Sequence, residues 1–148
     1  EEARKFISTI LNSMELSAEI NIVEENDTLK INLSGKNMGL IIGYRGETLD
    51  SIQYLVSLVV NKNYELPHKK VILDTENYRS KREETLKGVA LKSASRVKKS
   101  GKAYKLEPMN PYERRIIHSA LQNNSDVKTY SEGEEPFRRV VIELNRNI

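Results

Sequence analysis

Two short strings in this 148-residue chain hold residue types that can grip a polyanion. The first is Gly43-Tyr44-Arg45-Gly46, where two residues without side chains bracket a phenol ring and a guanidinium. The glycines admit close approach of a sugar–phosphate backbone to bare amides, and Arg45 adds a cation for the phosphate. Tyr44 can stack on a base or simply cover the loop. The second string is Arg114-x-x-x-His118, whose spacing puts both side chains on one face of a helix. Arg114 offers a planar fork to phosphate and can stack on a base. His118 can donate a hydrogen bond or stack, and its charge changes near neutral pH. It has a plainer reading too, as a helix histidine that holds the fold through a backbone carbonyl. Arg138 is the strongest nearby strand cation, with Arg115, Arg139 and Lys128 as weaker candidates.

Other chemistries lack their residues. There is no cysteine, which removes disulfides and thiolate metal sites. The two histidines, His68 and His118, fall in different halves with no metal-ligand spacing near either. No Gly-x-Ser-x-Gly elbow occurs, and residues 39–46 lack the Lys-Ser/Thr ending of a phosphate-binding P-loop. Carboxylates cluster in solvated runs such as Glu83-Glu84 and residues 132–135. The expectation is a binding protein without catalytic residues, metal, cofactor or small-molecule substrate. No apolar run approaches the roughly 18 residues that span a membrane, so a cytoplasmic location without membrane insertion is expected. The start, EEARKF, resembles neither a signal peptide nor a fresh translation start, and reads as a fragment of a longer protein.

The net charge of +3 hides a split. Residues 1–75 carry 8 Lys+Arg against 11 Asp+Glu, whereas residues 76–148 carry 16 against 10. Such asymmetry suits an acidic partner for the second half, or an ordinary solvated basic surface.

The elements that must carry the two strings follow from periodicity. Phe6, Ile7, Ile10, Leu11 and Met14 predict a helix over 3–15. Ile20, Ile22 and Val23 open an extended run, interrupted at residues 24–27; Leu29, Ile31 and Leu33 then alternate with polar residues, which predicts a hairpin. A short helix over about 36–42 leads to the glycine loop. A longer one over about 47–61 follows, with Leu49, Ile52, Leu55, Val56 and Val59 as its buried stripe. Pro67 stops it, and Val71, Ile72 and Leu73 make a third strand.

In the second half a long helix is expected from about 76 to 99, with Leu86, Val89, Ala90, Ser93, Ala94 and Val97 facing inward. Arg79, Lys81, Lys87, Lys92, Arg96 and Lys98 lie on the rest of its surface, and Gly101 ends it. A short extended piece covers 103–106. Asn110, Pro111 and Glu113 then announce another helix as cap, first-turn proline and capping-box acid. Ile117, Ala120 and Leu121 pack it inward. Strands over 127–130 and 137–143 follow, joined by a turn over 131–136. The whole is α+β, in two small domains split at residues 1–75 and 76–148.

The string IIGYRGETL, residues 41–49, set behind a hairpin and between two helices, resembles the KH-domain signature, and the α-β-β-α-α-β order is similar to the type II arrangement. The string LEPMNPYERRIIHSALQ, followed by VKTYSEGEEPFRRVVI, resembles the Arg-xxx-His (R-3-H) domain: long helix, short strand, helix, two strands. Together they resemble the bacterial Jag family, also called KhpB or SpoIIIJ-associated, across essentially all 148 residues. Jag proteins carry an N-terminal Jag domain and linker that this sequence lacks, which agrees with the fragment reading. The resemblance implies binding of single-stranded RNA, with single-stranded DNA as a second candidate, through residues 43–46 and the Arg114–His118 face. It also implies post-transcriptional regulation linked to cell elongation and division. Its other implication is a protein-interaction scaffold, whose KH surface pairs with a small KH protein, KhpA, or with a second copy.

Overall fold

The computed structural model describes residues 1–146 and divides into two compact units at Arg79/Ser80. In the first unit the order is α1 (Glu2–Ser13), β1 (Ala18–Glu25), β2 (Thr28–Gly35), α2 (Gly39–Ile42), a 3-10 turn (Tyr44–Gly46), α3 (Glu47–Val60) and β3 (Lys70–Thr75). This is the expected α-β-β-α-α-β order. The sheet runs β1-β2-β3, with β1 antiparallel and β3 parallel to β2. A parallel neighbour needs a long crossover, which α2, the turn and α3 supply. The glycine loop therefore sits inside that crossover. Leu29, Ile31 and Leu33 point to one face of the sheet and join Ile7 and Leu11 of α1 and Leu49, Ile52 and Val56 of α3 in the core.

Three details differ from the periodicity reading. Strand β1 continues through Glu24 and Glu25, which pair with Leu29 and Thr28, so the interruption shrinks to Asn26-Asp27. Asn26 at φ 55° supplies the left-handed position that a tight hairpin needs. Helix α2 starts at Gly39 rather than residue 36, because Asn37 at φ 61° cannot continue a helix. Leu55 is exposed and Val59 only half-buried. A helix rich in apolar residues all round hides which of two adjacent faces turns inward.

The second unit contains most of α4 (Tyr78–Ser100), then β4 (Tyr104–Lys105), α5 (Pro111–Leu121), β5 (Val127–Glu132) and β6 (Arg139–Leu144). Its antiparallel sheet runs β4-β6-β5. Leu86, Ala90, Ala94 and Val97 of α4 and Ile117 and Leu121 of α5 close over Val127, Val140 and Ile142. The long helix begins two residues later than expected because Glu76 and Asn77 stand at φ 54° and 56°. Strand β6 starts at Arg139, leaving Phe137 in the turn and 75 % exposed. Helix α5 has its predicted cap, with Asn110 Oδ1 accepting from the Glu113 amide at 2.8 Å. The Glu113 carboxylate reaches Arg82 Nε at 2.8 Å, a largely buried pair between α5 and α4 that spacing alone does not reveal.

Candidate nucleic-acid interface

The glycine loop is built by backbone angles that side chains resist. Gly43 stands at φ 72°, ψ −172°, a region open essentially to glycine alone. A Cβ placed there would lie 2.1 Å from Thr48 Oγ1 and 2.7 Å from Thr48 Cβ. Gly46 is left-handed at φ 79°, ψ 9°, and its Cβ would sit 2.6 Å from the Tyr78 ring. Gly46 is also buried, so the loop is only exposed at its tip. There Tyr44 is 68 % exposed, with the Arg45 guanidinium 4.8 Å from its ring centre. Helix α3 starts at once behind the loop without a side-chain cap, so the positive end of its dipole faces the same spot. Glu47 and Asp50 in its first turn oppose that field, although Asp50 bonds Arg79 Nη1 at 2.7 Å.

Glycine is needed at both positions for steric reasons. Tyr78, 32 positions away, could not be linked to Gly46 from spacing.

In the second unit the Arg114/His118 pair does lie on one face of α5, but both side chains already have partners. Arg114 is only 8 % exposed; its Nη1 donates to the Met109 carbonyl at 2.6 Å and its Nη2 to Glu135. His118 Nδ1 lies 2.7 Å from Thr129 Oγ1 and Nε2 lies 3.0 Å from Ser131 Oγ. A neutral imidazole has one donor and one acceptor, and hydroxyls can answer either. The histidine thus ties α5 to β5 through hydroxyls, where a backbone carbonyl had been the plainer expectation. Thr129 and Ser131 recur at period two on β5, a faint trace in the sequence of an inward polar row.

Burial holds the His118 pKa below its ordinary value of 6.5, and the Arg114 charge lowers it further. Unfolded chain then binds a proton at higher pH than folded chain, so this contribution to stability is present above pH 6.5 and is lost as pH falls below it. The melting temperature of the second unit should therefore drop as pH falls below 6.5, and His118→Gln should flatten that part of the profile. An unchanged pH profile in the variant would assign the drop to other groups.

The flanking cations differ in how far they are neutralised. Arg139 forms a two-point pair with Glu132, at 3.0 Å from Nε and 2.9 Å from Nη2. That hydrogen bond, together with the charges of Lys105 and Arg139, holds the Glu132 carboxyl below the usual range. Lys128 pairs with Glu143 at 3.3 Å on the exposed face of the sheet. Arg138 bonds the carbonyls of Gly133 and Ser131, at 2.6 and 3.3 Å, so those bonds leave its charge uncompensated. Arg115 is exposed beside Tyr112, Ile116 and Lys87 around a shallow depression. Tyr130 and Phe137, 43 % and 75 % exposed, add open aromatic rings to this unit. Among the described residues no group of three His, Cys, Asp or Glu could hold a metal ion, and no helix is long and apolar enough to cross a membrane.

A crossover broken by a Gly-x-x-Gly loop, followed by a helix–sheet unit carrying Arg and His one turn apart, defines a tandem of a KH module and an R-3-H module. Residues 1–74 match the family described as KhpA/KhpB, KH domain, and residues 84–144 match the R-3-H domain family. The chain belongs to the KhpB family. It is 52 % identical over 149 residues to the RNA-binding protein KhpB of Clostridium symbiosum, covering 99 % of this chain and 66 % of that protein. It is 38 % identical to the RNA-binding protein KhpB of Bacillus subtilis strain 168, covering 99 % of this chain and 71 % of the relative. Against the same-named protein of Lactiplantibacillus plantarum identity is 33 %, over 95 % of this chain and 44 % of the relative. The chain thus spans from under half to about seven tenths of the relatives it matches.

Proposed function

We propose that this chain is a cytoplasmic, non-catalytic protein that binds single-stranded RNA through its two modules. The observation that carries this reading is the loop at residues 43–46. Its glycines hold strained backbone so that Tyr44 and Arg45 project beside an uncapped helix start. That geometry suits a phosphate on the amides and a base against the phenol. In the second module Arg114 and His118 position the surface through the bonds they already make, while Arg138 and Arg115 meet the strand directly. Arg139 and Lys128 contribute once phosphate competes with Glu132 and Glu143. The KhpB relatives, named as RNA-binding, support the same reading, and a role in post-transcriptional regulation linked to elongation and division rests on that kinship.

Fluorescence anisotropy with a labelled single-stranded oligoribonucleotide tests the loop. Replacing Tyr44 and Arg45 together by Asp puts two negative charges at the tip and keeps both glycines, and Asp accepts the left-handed angles of position 45. Affinity should fall about tenfold or more at low salt, with an unchanged circular dichroism spectrum. Equal affinity in the variant would remove the loop from the binding site.

A specific feature also favours pairing between KH proteins. Tyr54, Leu55 and Leu58 of α3 are 64 %, 43 % and 51 % exposed, and Tyr64 and Leu66 just beyond are 97 % and 64 % exposed. Apolar side chains concentrated on one element suit a protein partner, such as a small KH protein of the KhpA kind or a second copy. Sedimentation of the chain with and without Leu58→Glu decides whether this face associates.

A further inference from the structure

Helix α4 presents a second charged surface, built from residues other than Arg114, His118 and their partners. From Thr85 to Leu106 the chain has seven Lys and Arg and no Asp or Glu. Lys92, Arg96 and Lys99 are spaced i, i+4 and i+7, so they form one exposed stripe about 10 Å long. Burial of Ala90, Ser93, Ala94 and Val97 on the opposite side fixes that stripe outward. With Ser95 and Ser100 it lines a shallow open depression. The neighbouring lysines are spoken for, Lys87 by Glu84 and Lys98 by Asp126. Among the described residues, Lys92, Arg96 and Lys99 have no carboxylate within ion-pair distance. Arg96 instead lies over the Tyr104 ring at 4.9 Å, which holds its guanidinium in place without neutralising it.

Three aligned cations without carboxylate partners in a carboxylate-free stretch keep their charge available to a polyanion. We infer that the stripe Lys92–Arg96–Lys99 is a phosphate-binding track for single-stranded RNA, distinct from the loop at 43–46 and from the Arg114/His118 face. The inference rests on the RNA-binding reading above and deepens it. Bonds to phosphate alone carry no base information, so the track adds affinity and direction to the path of the strand rather than sequence preference. An anionic membrane would meet the same charges. The stripe offers it little to insert, since Leu91 is the only large apolar side chain exposed on α4.

The test uses the full chain, a labelled single-stranded oligoribonucleotide of about 20 nucleotides, and a series of potassium chloride concentrations. Three phosphate contacts contribute a log–log salt slope of about 2 on a single strand, so Lys92→Gln/Arg96→Gln/Lys99→Gln should flatten the slope by that much and weaken binding about 100-fold at 0.1 M salt. A charge-matched control, Lys5→Gln/Lys30→Gln/Lys62→Gln, should lose far less. Unaltered slope and affinity in the α4 variant, or an equal loss in the control, would overturn the track while leaving RNA binding itself established. Loss of binding to phosphatidylglycerol vesicles with RNA affinity intact would assign the stripe to a membrane surface instead. No RNA binding by the unaltered chain would sink both this inference and the reading on which it rests.

Discussion

Gly43→Ala should lower the stability of the first unit by about 3 kcal/mol, with strained backbone and overlap with Thr48 each contributing about 1–3 kcal/mol. The reason lies in two independent features of the same position. Its φ and ψ, 72° and −172°, disfavour any L side chain, and the added methyl would overlap Thr48 at Cβ as well as at Oγ1. The Thr48 hydroxyl can rotate away, but its Cβ is fixed to helix α3. Hydrogen exchange read peptide by peptide distinguishes the units, so protection should fall across 1–79 and persist beyond it. A variant as stable as the parent would mean that the loop relaxes easily and that its glycines serve access alone. Gly43→Asp, an obvious way to place negative charge in the loop, would therefore report on folding before it reported on phosphate.

The second large effect is expected at Arg114. Truncation to Ala removes a buried guanidinium together with its bonds to the Met109 carbonyl and Glu135, at a cost of about 2–4 kcal/mol in the second unit. Lysine should recover little, because one ammonium cannot reach two partners lying in different directions. Denaturant unfolding of Arg114→Ala and Arg114→Lys measures this directly. If both variants kept parental stability while RNA affinity collapsed, Arg114 would be a direct contact rather than a support. Binding measurements on such variants are informative only where the second unit is still folded.

These two residues also mark where the sequence was and was not informative. Alternation at Leu29, Ile31 and Leu33, the cap at Asn110 and the glycine pair carried the order of elements, because each is a local effect of backbone and side chain. The parallel pairing of β2 with β3 was not legible, since a period of two says which face is buried but not which strand is adjacent. The R-3-H spacing correctly put Arg114 and His118 on one face. It gave no sign that Glu135, 21 residues later, or Thr129 and Ser131 would occupy them. A charged side chain near a signature reads as surface until its distant partners are known. The exposure of Tyr44 was legible because a ring at a loop tip needs no distant partner to stay open.

The opening residues of α4 serve the first unit. Tyr78 fills the space beside Gly46, and Arg79 bonds Asp50, Gln53 and the Leu73 carbonyl. Shuffling such modules between proteins is consequently less free than a boundary drawn after the last strand suggests. A KH piece cut at residue 75 would leave behind the ring and the cation that finish its own glycine-loop helix. A transplant that carries the stretch through Arg79 takes them along.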